Sequence, residues 1–404
     1  MTRPRIALVA DIPGWAFFNI SEQIRRHLGC DYDVSIFFSY EHYECRTEFV
    51  SKLFSSRYDI AHFFDRFFLN NLILDIAEAP EQVRDNFLHA KITCSIYDHL
   101  LLEPEELERY RKIYRYIADG YTVSSEKLKT IYTDLPGYPP PDMVIEDTVD
   151  PALFYPENLS RLKDSDRPFV VGWAGNSRWM EELDGIDHKG LHTVIKPALE
   201  QLGNEGAPVV GRFADSSTGR TSLKEMVHYY NSIDVYVCAS DIEGTPNPVL
   251  EAMACGVPVI ATDVGIVPQV FGPLQQKLIL EERSVPALKR KIEMLVNLPE
   301  LRVALSEENQ RQMRTWTREG ESRKWDSFFR MVLAGQTPET EPGNPQSRKA
   351  ELMTRADTKR LCLELLRDHP CLELEKTCRH MVNSFSWKVT APLRRIFGFA
   401  RHFK

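Results

Sequence analysis

Two glutamates at a spacing of eight, Glu243 and Glu251, bracket the segment Gly244-Thr245-Pro246-Asn247-Pro248. A carboxylate accepts hydrogen bonds at two oxygens, so a pair of them binds the hydroxyls of ribose and of sugar rings strongly. The prolines at 246 and 248 suit the start of a helix, where their missing N–H would have no partner. Gly256 and Pro258 then end that helix. Its free N–H groups and positive dipole end favour an anion such as a phosphate. Hydroxyl acceptors beside an anion site fit the chemistry of a nucleotide-sugar.

The elements that must position this segment alternate along the chain. Residues 5–10, 34–38, 60–64, 92–96 and 121–123 are β-branched and aromatic runs, with periodic helical stretches such as 20–28 and 104–117 between them. A Pro-rich passage at 135–142 and a charged stretch at 156–168 interrupt the pattern. It restarts with 169–173, 209–213, 235–239 and 257–261. Strand-helix alternation predicts an α/β fold with parallel sheets covered on both faces. Two such units in tandem leave a cleft at the carboxyl ends of their strands, where open parallel sheets bind ligands. The predicted division is a first Rossmann-like domain at 1–155, a second at 156–334, a linker at 335–348 and a helical basic tail at 349–404.

Charge separates the body from the tail. The chain carries 50 Lys+Arg and 58 Asp+Glu, a formal charge of -8. From Gly335 onward there are 13 Lys/Arg and 8 Asp/Glu, so the tail is +5 and the preceding residues are -13. An acidic body excludes a broad nucleic-acid surface, which needs clustered cations on the folded domain. In the tail, Leu393, Ile396, Phe397, Ala400 and Phe403 recur at helical spacing among Arg394, Arg395, Arg401 and Lys404. Such a helix either packs on the body or lies on an anionic membrane surface. No uncharged apolar run reaches the roughly 18 residues of a spanning helix. The first residues lack a signal-peptide core, and the eight cysteines contain no C-x-x-C pair. These features predict a cytoplasmic chain with reduced thiols, the tail being its candidate contact with the inner face of the cell membrane.

The spacing of Glu243 and Glu251, followed by Ala-Met-Ala-Cys-Gly-Val-Pro-Val259, resembles the E-x7-E signature of retaining GT-B glycosyltransferases of glycosyltransferase family 4, the glycosyl transferases group 1. Tyr230-Asn-Ser-Ile-Asp-Val235, Val149-Asp-Pro-Ala-Leu-Phe154 and Lys189-Gly190 are similar to further segments of that family, and the resemblance covers roughly residues 5–333. It implies a GT-B fold, with the first domain on the acceptor side and the second holding the donor. It also implies that Glu243 contacts the donor sugar, that Glu251 holds the ribose, and that the backbone of Gly244, Thr245, Pro246 and Asn247 lines the sugar and phosphate site. Lys189 matches one member of the family's diphosphate-binding basic pair, and Arg178 stands near the place of the other. From the first domain, Gly14 and the pair Asp98-His99 are the counterparts of a Gly-Gly loop and a catalytic histidine. Three departures accompany them: Pro13-Gly14 replaces Gly-Gly, Asp98 and His99 are in reversed order, and Asp147-Thr148 stands where Asn-Gly is frequent.

The function this implies is retaining transfer of a sugar from a nucleoside diphosphate to a surface polysaccharide, lipopolysaccharide or lipid-linked acceptor. No cofactor and no metal are expected. Residues 384–394 also resemble a C-terminal segment of bacterial polysaccharide glycosyltransferases. Two rival readings keep the fold: a nucleotide-sugar epimerase or hydrolase, and a catalytically silent nucleotide-sugar-binding subunit.

Overall fold

The computed structural model describes residues 2–336 apart from 40–45, 78, 100–106, 108–113, 115–116, 180, 182–184 and 220. The predicted tail at 349–404, and the predicted linker after Gln336, lie outside the described residues.

The first domain is built on a sheet of six strands: β1 (Arg5–Ala10), β2 (Asp33–Phe38), β3 (Ile60–Phe63), β4 (Lys91–Ile96), β5 (Gly120–Val123) and β6 (Met143–Val144). Their order is β2-β1-β3-β4-β5-β6, and every recorded pairing is parallel. β3 and β5 are buried along their whole length, as mostly apolar and aromatic strands covered on both faces should be, with His62 and Thr122 hydrogen-bonded within the core. The second domain has β7 (Phe169–Gly175), β8 (Val209–Asp215), β9 (Val235–Cys238) and β10 (Val259–Ala261), again parallel, in the order β10-β9-β7-β8. One core cluster packs Tyr236, Cys238, Val259 and Ala261 against Val249, Leu250 and Met253 of the helix Asn247–Ala254, and another joins Val171, Val235 and Val237 to Leu191, Ile195 and Ala198. These are the two faces of the sheet.

Local chemistry sets the helix ends. Ser222 and Glu225 form a capping box at the helix Leu223–Tyr230, with Ser222 Oγ accepting from Glu225 N at 3.3 Å and Ser222 N donating to Glu225 Oε2 at 2.8 Å. The stretch after Gly190 begins as a π-helix, Leu191–Ile195, before the α-helix Lys196–Asn204. Irregular turns of this kind gather at functional sites, and this one follows directly on Lys189.

The chain crosses between domains twice. The first crossing follows β6 and enters the second domain through Asp147 and Asp150. The second is the helix Arg318–Leu333, which returns to the first domain and packs Trp325, Phe328, Phe329 and Val332 against Ile6, Leu8, Ile20 and Ile24. By packing, this last helix of the predicted second domain therefore sits on the first. Its Glu321 is buried and takes hydrogen bonds from Gln23 Nε2 at 2.8 Å and from the Thr148 hydroxyl. Burial pushes the Glu321 carboxyl up. It does the same, more strongly and with Glu321 adding to it, to Asp147 at the first crossing.

Candidate functional site

Two loops of the second domain converge at the carboxyl ends of their strands. The first follows β7, where Ser177 Oγ donates to Asp215 Oδ2 at 2.6 Å and closes the turn. It ends at Asp187, whose carboxylate accepts from the backbone N–H of Gly190, His192 and Thr193 at 2.8 to 2.9 Å. A Cβ at Gly190 would collide with the Ala239 carbonyl at the end of β9, so glycine permits the first loop to press against the second. Arg283 clamps the same junction, donating to Ala239 O at 2.7 Å and to Asp187 O.

That closeness brings Lys189 and Glu243 together. Lys189 Nζ lies 2.6 Å from Glu243 Oε1, and each side chain is only 16% exposed. Ser240 Oγ donates to the same carboxylate oxygen at 2.8 Å. The Lys189 ammonium also sits 4.4 Å from the centroid of the Trp179 ring. The predicted phosphate ligand and the predicted sugar ligand thus form one charge-assisted pair.

Gly244, next to Glu243, packs directly against the first domain. A Cβ there would run into the Tyr97 carbonyl oxygen and Ser124 Oγ of the first domain. Thr245 Oγ1 is 3.4 Å from Ser124 O, Glu126 N donates to Gln269 Oε1 at 2.9 Å, and Lys127 pairs with Asp263 at 3.0 Å. The cleft is bounded on both sides at this point.

Pro246 precedes the helix Asn247–Ala254 without a side-chain cap, and Pro248 lies in its first turn; Pro248 has no N–H and the Val249 N–H donates to Pro246 O at 2.8 Å, which leaves the Asn247 N–H at the helix start. Asn247 turns its side chain to the buried Asp147 at the domain crossing. Glu251, one turn further along, accepts from the Tyr230 hydroxyl at 2.7 Å. Burial pushes its carboxyl up to about 7, against the lowering effect of that hydrogen bond. The two glutamates of the signature therefore differ: one is paired with a cation, the other sits in a low-polarity pocket with a neutral donor.

The first-domain candidates are arranged less directly. Asp98, predicted to touch substrate, has Oδ1 on Arg66 Nη2 at 2.7 Å, and its carbonyl accepts from Arg66 Nη1 and Tyr132 Oη. Arg66 is buried, so in this structure the pair holds the loop at residues 97–99 in place. His99 follows with Nδ1 buried and without a hydrogen-bond partner among the described residues. Burial pushes its pKa down, Asp98 and Asp241 oppose that, and Lys127 and Arg66 reinforce it, which favours a neutral imidazole. Gly14 is exposed in the turn before the helix Ala16–Leu28, with nothing near the place a Cβ would take. Arg178 is also exposed, and its backbone N–H is held by Asn176 Oδ1 at 3.0 Å.

His62 is fully buried between Thr93 and Ser95 hydroxyls, among Phe64, Trp325 and Phe328. Burial pushes it down to about 3, so it is a neutral part of the core. The sequence reading missed Trp179, Ser240 and Tyr230 as partners of the motif. Two signals were available: Trp179 is an aromatic residue in the loop after a strand, and Tyr230 opens a segment the resemblance already singled out.

Comparison with known proteins fits this geometry. Residues 216–312 match the family described as glycosyl transferases group 1, a segment that contains both glutamates. A Bacillus subtilis protein named for teichuronic acid biosynthesis, the glycosyltransferase TuaC, is 40% identical over 75 residues, 19% of each chain. The MMP alpha-(1->4)-mannosyltransferase of Mycolicibacterium hassiacum is 29% identical over 182 residues, 41% of this chain and 42% of that one. The chain thus spans less than half the length of these curated relatives. Among solved structures, sucrose-phosphate synthase from Thermosynechococcus elongatus aligns with a TM-score of 0.60 at 17% identity, over 82% of this chain and 100% of that one. Anabaena Alr3699/HepE, solved with UDP and glucose, gives 0.57 at 13% identity, over 81% and 100%. The fold is GT-B: two parallel α/β domains facing across a cleft.

Proposed function

We propose that the chain is a retaining glycosyltransferase that moves a hexose-like sugar from a nucleoside diphosphate to a surface glycan or lipid-linked acceptor. One observation carries the reading: Lys189 and Glu243 meet at 2.6 Å, in the loop that leads into an uncapped helix and, at Gly244, packs against Tyr97 and Ser124 of the first domain. The group 1 family match and the UDP bound by a protein of the same fold support a nucleotide-sugar donor. The name of the Bacillus subtilis relative supports a cell-surface acceptor.

The mechanism follows from where charge develops. As the glycosyl-phosphate bond breaks, negative charge grows on the diphosphate and the sugar becomes oxocarbenium-like. Lys189 and the Asn247 N–H at the start of the helix are the donors for the growing charge, and a fixed donor of this kind contributes about 3 kcal/mol in a water-poor site. Glu243 holds sugar hydroxyls and Glu251 the ribose. Retention follows if the acceptor attacks from the face the phosphate leaves, with a phosphate oxygen taking its proton, and His99 lies on the facing wall to orient the acceptor.

The test is product formation with UDP-, GDP-, ADP- and dTDP-sugars and a panel of glycan and lipid-linked acceptors. Glu243→Ala and Glu251→Ala should each remove most transfer with unchanged circular dichroism; wild-type turnover in both would sink the assignment. Sugar conversion without any acceptor would point to an epimerase or hydrolase instead. The basic tail is part of the proposal as a contact with anionic membrane. Removing residues 384–404 should reduce sedimentation with phosphatidylglycerol vesicles and leave donor binding as it was, while equal sedimentation of both chains would return the tail to the body.

A further inference from the structure

We infer that Trp179 is a positioning residue for Lys189, and that a diphosphate enters this site by exchange. A phosphate oxygen replaces the Glu243 carboxylate on the ammonium, and the released carboxylate turns to the sugar. The inference rests on the reading of the site as one for a nucleotide-sugar.

Lys189 has a flexible four-carbon stem and three donors on its nitrogen. Here the nitrogen is fixed from two directions, by Glu243 Oε1 at 2.6 Å and by the face of Trp179 at 4.4 Å. The ring is itself held from behind. Its partner is His188, edge-on at 5.7 Å and 75°, and His188 Nδ1 lies 3.0 Å from Asp241 Oδ1. Asp241 N in turn donates to His188 O at 3.0 Å, which ties this assembly to the loop that carries Glu243. Trp179 thus belongs to a supported wall, and the ammonium rests on it.

Two consequences follow from the pairing. In this structure the cation and the carboxylate neutralise one another, and Ser240 donates to the same carboxylate oxygen. A sugar alone meets a carboxylate that is already engaged, and a diphosphate alone must break an ion pair. A ligand that carries both groups replaces each lost contact with a new one, which couples recognition of the phosphate to recognition of the sugar. The aromatic face keeps the ammonium in place during the exchange, because cation–π attraction does not depend on which anion lies on the other side.

The experiment is calorimetric titration of the full chain with inorganic pyrophosphate and with UDP, GDP, ADP and dTDP, using Glu243→Gln, Lys189→Met, the double variant, Trp179→Leu and Trp179→Phe. Glu243→Gln should bind the diphosphate about 10-fold more tightly, about 1.4 kcal/mol. The same substitution made on top of Lys189→Met should have no such effect. Trp179→Leu should weaken binding roughly 5-fold, with Trp179→Phe within about 2-fold of wild type. Tryptophan emission should change on pyrophosphate addition in the wild type and not in Trp179→Phe. Unchanged affinity in Glu243→Gln, or equal tightening with and without Lys189, would overturn the exchange. Equal affinity of Trp179→Leu and wild type would overturn the role of the ring. If pyrophosphate behaves as expected and none of the four nucleotides binds, the exchange stands and the nucleotide reading falls. If nothing binds, both fall.

Discussion

The cleft wall formed by the second domain presents a charged pair, Lys189 and Glu243, at 2.6 Å. The facing wall of the first domain sets the Tyr97 carbonyl and the buried Ser124 hydroxyl against Gly244 and carries His99 beside them. Its own charge pair, Arg66 with Asp98 at 2.7 Å, is turned back into the domain, with Arg66 3% exposed. A wall that meets a diphosphate must keep its charges at the surface. A wall that meets a neutral hydroxyl needs rigid polar groups, and here the charges act behind it to fix the loop. The difference matches the proposed division of labour between donor and acceptor.

The strongest way to break that division is to remove the support of the first wall. Arg66→Met leaves the Asp98 carboxylate without its buried cation, and losing one partner of a buried pair destabilises by about 3–5 kcal/mol. Chemical denaturation should show a drop of that order, together with a loss of kcat at unchanged donor affinity. Next comes Lys189→Met, which removes a cation of the second wall. Turnover should fall roughly 10²- to 10³-fold, as for loss of one preorganised donor, with no comparable change in the unfolding midpoint.

Gly244→Ala tests whether the walls must approach as they do. The added Cβ meets the Tyr97 carbonyl and Ser124 Oγ, and overpacking of this kind destabilises by about 1–3 kcal/mol. The expected result is lower kcat with nucleoside diphosphate binding close to wild type, because the phosphate site belongs to one domain only. The last prediction concerns Glu251, whose carboxyl is pushed up by burial to about 7 from an ordinary 4.5. The folded state then holds this proton more tightly than the unfolded one. Its stability contribution is full below about pH 4.5 and is lost as pH rises through about 7. Glu251→Gln should remove that slope, giving a higher Tm than wild type at pH 8 and a similar one at pH 4.5.

Much of the fold was legible because buried parallel strands are continuous β-branched and aromatic runs. The predicted strands at 5–10, 34–38, 60–64, 92–96 and 121–123 correspond to the observed Arg5–Ala10, Asp33–Phe38, Ile60–Phe63, Lys91–Ile96 and Gly120–Val123. The two-residue β6 is too short to show a period, and the return of the helix Arg318–Leu333 to the first domain depends on packing across some three hundred residues. Neither has a local signal.

The site divides in the same way. The helix after Pro246 is visible in the sequence because prolines and a closing glycine mark its ends. The contact between Lys189 and Glu243 spans 54 positions and depends on two loops pressed together at Gly190. The resemblance gave Asp98, with His99, as a candidate substrate contact; its carboxylate is paired with Arg66, 32 residues away on the helix Arg66–Ala77. The resemblance named candidate residues for the site. It did not reveal which of them face one another.

The central claim is that Lys189 and the N-terminus of the helix Asn247–Ala254 receive a diphosphate while Glu243 receives the sugar. A crystal structure of the chain soaked with the nucleotide-sugar that raises its Tm most would test this directly. The account predicts phosphate oxygens within hydrogen-bond distance of Lys189 Nζ and the Asn247 N–H, with Glu243 turned from the lysine to a sugar hydroxyl. Diphosphate density elsewhere, or a bound donor with the Lys189–Glu243 pair intact, would contradict it.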